Sequence, residues 1–300
     1  MSSSPPRRPH NLMSTLLAPR GIDRTDLLRA AVDGKVVLVT GASFGIGAAL
    51  ATRLGAAGAR VLLAARSEVK LTALAHEITQ AGGRAEVVPL DLTDPESLTR
   101  AALELGRVEG GVDLVVHNAG KSIRRSLASS LQRAHDFQRC MAVNYLGPVQ
   151  LQLALLPAML ARGSGHIVNV SSVGVRLPPA PRWAAYLASK SAFDVWLDAA
   201  APELRHRGLA CTSVYLGLVH TRMSAPTPGY DDLPGQTPDE AAQVICRALI
   251  RRPRRLGPWW LAPARWLAQP LGAPLEWLLG ELFVRGADSA AARGVGREEP

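Results

Sequence analysis

A single doubly wound α/β domain, with a parallel sheet of about seven strands and helices on both faces, is the fold class that three observations predict. Short apolar, β-branched runs alternate with helical segments along most of the chain. These runs are nearly continuous in apolar residues, as strands covered on both faces must be. A glycine-rich turn joins the first run to the first helix. The length of 300 residues, 47% hydrophobic and 20% charged, suits one large domain and excludes disorder as the main state.

Residues 1–33 read as a partly disordered N-terminal extension. Arg7 and Arg8 precede only a short apolar run broken by Ser14 and Thr15, and no small-residue cleavage pattern follows, so a cytoplasmic protein is expected. Residues 35–40 (KVVLVT) make the first strand; a helix over 46–54 is closed by Gly58, and 61–65 (VLLAA) is the next strand. The alternation continues with a helix over 69–80, a strand at 85–90, a helix over 95–105 and a strand at 112–117. A long helix over 134–160, a strand at 165–170, a helix over 183–205 and a strand at 210–216 complete it. Residues 221–236, rich in Pro and Gly, read as a mobile or irregular loop. Thr237-Pro238-Asp239-Glu240 then reads as a capping box opening a helix to about residue 250. The domain is expected over 34–250, with 251–300 as a basic, Trp-rich tail.

Thr40-Gly41-Ala42-Ser43-Phe44-Gly45-Ile46-Gly47 sits where the Rossmann topology places a dinucleotide pyrophosphate. Gly41 allows a sharp turn, Gly45 lets backbone approach phosphate, and Gly47 lets helix and strand pack closely. After the second strand, where an acidic residue would accept from the ribose 2′-hydroxyl of NAD, stand Ala65 and Arg66. A cation there suits a 2′-phosphate, which favours NADP(H) over NAD(H); the other reading is a solvated arginine in an arginine-rich chain. Asp91, just past the third strand, reads either as an acceptor for an adenine amino group or as a helix cap.

Tyr186 and Lys190 are four residues apart, hence on one helical face. A nearby ammonium stabilises phenolate and would draw the tyrosine down from about 10 towards working pH, so that it can exchange a proton with a substrate oxygen. An exposed helix pair is the bland alternative, although the chain holds only four tyrosines and four lysines.

The glycine turn, His117-Asn118-Ala119-Gly120, Asn144, Ser171-Ser172 and Tyr186-x-x-x-Lys190 occur in this order. Over about residues 34–250 the chain thereby resembles the short-chain dehydrogenase/reductases. That resemblance implies Tyr186 as general acid/base, Lys190 lowering its pKa and holding the nicotinamide ribose, Ser172 bonding the substrate oxygen, and Asn144 completing a proton relay through water. It implies Asn118, Ala119 and Gly120 on the adenosine side, Gly217, Val219 and Thr221 near the nicotinamide carboxamide, and assembly as a homo-oligomer. Three departures stand out. His117 replaces the common first Asn and reads as a histidine tucked at a strand end. Leu216 replaces the usual Pro. The interval from Ser172 to Tyr186 is one residue longer than usual, with Pro178, Pro179 and Pro181 absorbing the extra residue.

Three strings, HNAGKSIRRSL (117–127), HDFQRCMAVNYLG (135–147) and SAPTPGYDDLPGQTPDEAA (224–242), resemble one branch, the short-chain-type fatty acyl-CoA reductases. This implies a lipophilic substrate, an acyl thioester reduced to aldehyde and thiol. Arg124 and Arg125 then either approach CoA phosphates or form a solvated basic turn. An alcohol or hydroxysteroid-type dehydrogenase, and a catalytically idle cofactor-binding protein, are the other readings; the joint presence of Asn144, Ser172, Tyr186 and Lys190 argues against the last.

Lys plus Arg number 34 against 25 Asp plus Glu, a formal net charge of +9 that raises nucleic acid or an anionic membrane as partners. All but Lys35, Lys70, Lys121 and Lys190 of these cations are arginines, a uniform preference that points more to coding bias than to phosphate recognition. No further feature supports nucleic acid, and none is expected as a partner. Arg251, Arg252, Arg254 and Arg255 precede Trp259, Trp260, Trp266 and Trp277, four of the six tryptophans. That stretch, 251–285, reads as a peripheral membrane contact, as cover over the substrate pocket or as a subunit interface. No apolar run of transmembrane length occurs. Cys140, Cys211 and Cys246 are widely spaced without a Cys-x-x-Cys, so buried thiols are expected and no metal site.

Overall fold

The computed structural model describes residues 18–178, 180–227, 229–268, 270–285 and 288. The chain begins with α1 (Thr25–Val32), β1 (Val36–Thr40), α2 (Gly45–Ala56), β2 (Arg60–Ala65), α3 (Glu68–Gln80), β3 (Arg84–Pro89), α4 (Pro95–Gly106) and β4 (Leu114–His117). It continues with α5 (Ala134–Met141), α6 (Gly147–Arg162), β5 (Gly165–Ser172), α7 (Ala184–His206), β6 (Leu209–Leu216), α8 (Pro238–Arg251), β7 (Arg255–Leu256), α9 (Leu261–Ala268) and α10 (Gly272–Arg285).

The strands form one seven-stranded sheet in the order β3-β2-β1-β4-β5-β6-β7, every pairing parallel. β1 and β4 are buried along their whole length, whereas the edge strand β3 is exposed at Arg84, Glu86 and Pro89. Successive side chains leave the sheet on opposite faces, so Val37, Val39, Val61 and Leu63 pack under α1, α2, α3 and α8, while Leu38, Leu62 and Val115 pack under α4, α6 and α7. Sequential strands wind outward in both directions from β1 and β4. Their C-terminal ends therefore open the crevice in which the site lies.

Four features depart from the sequence reading. Residues 25–32, assigned to the extension, form α1, whose Leu28 and Val32 are buried in the core beside α8. Burying two such side chains stabilises by roughly 1.5–3 kcal/mol each, enough to fix an eight-residue helix that would not persist alone. Residues 1–17 lie outside the described residues, as does Pro179. Second, the helix expected over 134–160 is broken by a π turn at Ala142–Leu146, which carries Asn144. Third, the seventh strand, β7, comes from the stretch read as tail; two residues are too short to carry a hydrophobic pattern. Fourth, Arg254 and Arg255 both pair with Asp198 on α7, so half of the cluster at 251–255 is committed to the domain itself.

The capping box at Thr237 is formed, with Glu240 returning the bond at 2.7 Å. The 221–236 loop is irregular, with a 3-10 turn at Tyr230–Asp232, but its base is held by a bridge between Val219 and Gln236. All three cysteines are buried, and burial pushes their thiols up to about 11, 11 and 12 for Cys140, Cys211 and Cys246. Among the described residues no helix is long and apolar enough to cross a membrane.

Candidate active site

The glycine turn after β1 is drawn tight against the loop after β4. A Cβ at Gly47 would sit 2.2 Å from the Gly41 carbonyl oxygen, and one at Gly41, whose φ is +68°, would meet the Ala119 Cα at 2.8 Å. Asn118 holds this approach: its Nδ2 donates to the Thr40 carbonyl at 3.0 Å, and the backbone N–H groups of Asn118 and Ala119 donate to the Thr40 hydroxyl at 3.1 and 3.0 Å. Its amide therefore positions the turn, a role that Thr40 shares and that the sequence reading did not give either residue. Ser43 is half-buried in the turn, and Arg66 is exposed just past β2. Asp91 accepts from the Thr93 N–H and hydroxyl through one oxygen; the cap of α4 is Asp94, so the capping alternative for Asp91 falls.

Beyond the turn, a cavity of about 360 Å³ runs from Ile46 and the loop after β4 along the C-terminal ends of β5 and β6. Of the residues singled out from sequence, Ile46, Asn118, Gly120, Ser172, Tyr186, Lys190, Gly217, Val219 and Thr221 line it. Gly41, Ser43, Gly45, Gly47, Arg66, Asp91, Ala119 and Asn144 stand outside this lining. β5 ends by delivering Ser172, and the first turn of α7 delivers Tyr186, whose phenol is hydrogen-bonded with the Ser172 side chain. One turn on, the buried Lys190 ammonium donates to the Val170 carbonyl at 3.0 Å. A Cβ at Gly120 would meet both Lys190 Nζ at 3.3 Å and Asn144 Oδ1 at 3.4 Å, which brings these two side chains to one spot. Asn144 in the π turn accepts from the Lys121 N–H at 2.8 Å and donates to the Lys121 carbonyl and the Ser189 hydroxyl at 2.9 and 2.8 Å. Ser189 in turn donates to the Tyr186 carbonyl at 2.8 Å, a link the sequence motif contained but did not announce.

The electrostatics correct one expectation. Tyr186 is not drawn down towards neutrality: burial pushes its phenol up to about 12, and the Ser172 hydrogen bond only partly opposes this. Burial also lowers Lys190 to about 8, with the Asp194 carboxylate acting against the drop. Lys190 is buried and spends one donor on a backbone carbonyl, whereas Tyr186 is half-buried and faces the cavity. His117 behaves as a structural residue, buried, bonded through Nε2 to Gln152 at 2.9 Å and lowered by burial to about 4.

The far end of the cavity is apolar. Leu177, Pro178, Ala180, Leu187, Leu218 and Met223 line it, and Trp183 stacks on Tyr230 (6.1 Å between ring centroids) while meeting Tyr186 edge-on (5.7 Å). Lys190 is the only Lys, Arg, Asp or Glu among the described lining residues. Arg125 is not a solvated basic residue: it is mostly buried and lies 3.3 Å from Asp136. Arg124 is half-buried and its charge acts on the Tyr230 phenol. Among the described residues no cluster of His, Cys, Asp or Glu is arranged to hold a metal ion.

The model of the short chain dehydrogenase family matches residues 35–229. An uncharacterized oxidoreductase of Mycobacterium tuberculosis is 48% identical over 251 residues, covering 83% of this chain and 72% of that protein. A fatty acyl-CoA reductase of Acinetobacter baylyi is 44% identical over 230 residues, 77% of this chain and 78% of its own. Among solved structures, a metagenomic short-chain oxidoreductase in complex with NADP superposes with a TM-score of 0.64 at 35% identity, over 73% of this chain and 92% of that one. With the matched segment spanning β1 to the loop after β6, where all four candidate catalytic side chains lie, the chain belongs to the short-chain dehydrogenase/reductase family of oxidoreductases.

Proposed function

We propose that the protein is an NADP(H)-dependent reductase of lipophilic carbonyls, and that its substrate is a fatty acyl-CoA thioester reduced to the aldehyde. The observation that carries this reading is the division of one cavity into a hydroxyl pair, Ser172 and Tyr186, and an apolar end with no charged wall. A long acyl chain is the ligand whose burial such a wall favours, at roughly 0.8 kcal/mol per methylene. The A. baylyi relative, named for this activity, supports the same choice.

The residues fit a dinucleotide. The glycine turn leaves no room for a Cβ at Gly47, and the position past β2 presents a cation, Arg66, where an acidic group would repel a 2′-phosphate. Gly41, Ser43, Gly45, Ile46 and Gly47 would hold the pyrophosphate, Arg66 the 2′-phosphate, Asp91 the adenine, and Asn118, Ala119 and Gly120 the adenosine side. Lys190, Gly217, Val219 and Thr221 would hold the nicotinamide end. When bound, NADPH supplies the hydride that goes to the thioester carbon. Ser172 and Tyr186 donate to the carbonyl oxygen as it gains charge. The phenol, pushed up to about 12, is protonated at neutral pH and can give its proton to the substrate oxygen. Lys190, beside Asn144 at Gly120, continues the path by which Tyr186 is reprotonated. The balance is thioester, NADPH and a proton giving aldehyde, thiol and NADP⁺.

The catalytic unit is 34–250, extended by α1 and β7, working in the cytoplasm as a homo-oligomer. Trp259, Trp266 and Trp277, at 75%, 76% and 70% exposure, support peripheral membrane contact through 251–285. Flotation with anionic liposomes at low and high salt tests the contact; protein that stays at the bottom in both removes it. The reaction is tested by incubating the protein with acyl-CoAs of graded length and NADPH or NADH, following nicotinamide oxidation and free thiol together. Thiol released in step with NADPH, and weakly with NADH, is expected. Oxidation with ketones or aldehydes alone, without thiol, overturns the acyl-CoA assignment.

A further inference from the structure

Arg182 precedes Trp183 in the β5–α7 loop and holds a backbone conformation that arginine rarely adopts, with φ at +71°. A left-handed conformation is unfavourable for a residue with a Cβ, so something must hold it there. The hold comes from the last turn of α10 and from Asp288 beyond it. Arg182 Nε donates to Asp288 Oδ1 at 2.9 Å, Nη2 donates to the Phe283 carbonyl at 3.1 Å, and the guanidinium lies 4.3 Å over the Phe283 ring. The side chains of Arg182 and Asp288 are only 7% and 8% exposed.

Asp288 also binds the loop after β4, whose Gly120 and Ser122 line the cavity. It accepts from the Ser126 N–H at 3.1 Å, from the Ser129 hydroxyl at 2.8 Å, and from the Ser126 hydroxyl. The two loops are joined directly as well, the Arg125 N–H donating to the Arg182 carbonyl at 2.7 Å. Burial alone would raise the Asp288 carboxyl; the hydrogen bonds from Ser126, Ser129 and Arg182 outweigh that and hold it at about 2. α10 itself has no fully buried side chain among the described residues, so this contact is not a by-product of a packed helix. The pair is separated by 106 residues and ends one residue from Trp183, whose ring touches both Tyr186 and Tyr230.

We propose that Asp288 is a specificity-determining positioning residue, which through its ion pair with Arg182 fixes Trp183 and thereby the apolar end of the substrate cavity. The choice of long-chain probes rests on the lipophilic-substrate reading; the positioning role applies to any carbonyl that reaches past Trp183. Removing the pair releases the wall that long substrates touch and leaves the hydroxyl pair and the glycine turn in place.

The test uses the full chain with Asp288→Asn, Asp288→Glu and Arg182→Lys. Steady-state kinetics with short and long acyl-CoAs are read beside NADPH affinity by fluorescence and the melting temperature. Asp288→Asn is expected to raise KM for long chains about tenfold, with kcat, short-chain KM and NADPH affinity within about twofold. Asp288→Glu recovers most of the long-chain KM, and Arg182→Lys, which keeps the cation without the fork, falls between. A variant set that lowers only the melting temperature, or shifts KM equally at all lengths, overturns the proposal. If Asp288→Asn does not fold, the Glu and Lys variants decide it by the same length dependence. If wild-type protein releases no thiol, the same comparison is run with aldehydes or ketones of graded length, so loss of the acyl-CoA reading and loss of the positioning role remain separate results.

Discussion

The two ends of the cavity are built from different kinds of structure. At the cofactor end the walls are the last residues of buried parallel strands and the turns that leave them. Contacts there press backbone on backbone, as with the Gly41 carbonyl under Gly47, or bond short side chains to backbone, as with the Thr40 hydroxyl under Asn118 and Ala119. At the substrate end the walls come from the loops after β4, β5 and β6, held to each other by ring contacts, by the Arg125–Arg182 backbone bond and by the Asp288 carboxylate beyond α10. The first end tolerates almost no change of shape, because backbone cannot move aside without moving the sheet. The second is adjustable, because its geometry rests on a few ion pairs and ring contacts.

The largest effect is expected where the two ends meet. Tyr186→Phe removes the proton donor and should cut turnover by about 10²–10⁴-fold while NADPH affinity stays within about twofold. Full activity in single-turnover assays would remove Tyr186 from the chemistry under either carbonyl reading. Next comes Gly47→Ala at the rigid end, where the new methyl meets a backbone oxygen. We expect NADPH affinity to fall about thirtyfold or more, seen by fluorescence titration, and unchanged affinity would show that the turn can yield after all. At the adjustable end, Trp183→Ala should raise KM for long substrates about tenfold without weakening cofactor binding; a loss of NADPH affinity there would break the comparison.

The smallest effect is a pH dependence seated in the rigid end. His117 is held neutral by burial at about 4, against about 6.5 in the unfolded chain, so between these values the unfolded state binds more protons. Stability is therefore retained above pH 6.5 and lost as pH falls towards 4, by on the order of 1–2 kcal/mol between pH 7 and 5. Urea titrations at the two pH values measure it. His117→Gln should flatten the difference, and an unchanged slope would place the titration elsewhere, with the buried His166 as the next group to replace.

The outer architecture and the rigid end could be read along the chain because their determinants are local. Six strands and the helices between them follow from runs of a few residues, the glycine turn from one octapeptide, and the Tyr186–Lys190 pair from a single helical turn. Where determinants are not local, the reading missed or misplaced them. β7 is two residues long, and its identity as a strand depends on β6 lying beside it. Arg125, Arg254 and Arg255 look like any other arginines until Asp136 and Asp198 are brought to them. The π turn that holds Asn144 looks like uninterrupted helix, since its residues are ordinary helix formers.

By itself, then, the sequence predicted six of the seven strands, the glycine turn and the Tyr186–Lys190 pair, because period, turn chemistry and short spacing act within one or two elements; Asn144 and Ser172 are candidates only through the family resemblance. The tertiary structure alone decided that the Tyr186 phenol is raised rather than lowered, that Asn118 braces the glycine turn, and that Asp288 joins Arg182 to the loop after β4. Each depends on desolvation or on partners from distant segments, 162 residues apart for Asp288 and Ser126. Such quantities belong to the packed chain, since burial and charge pairing have no value until the segments that supply them meet.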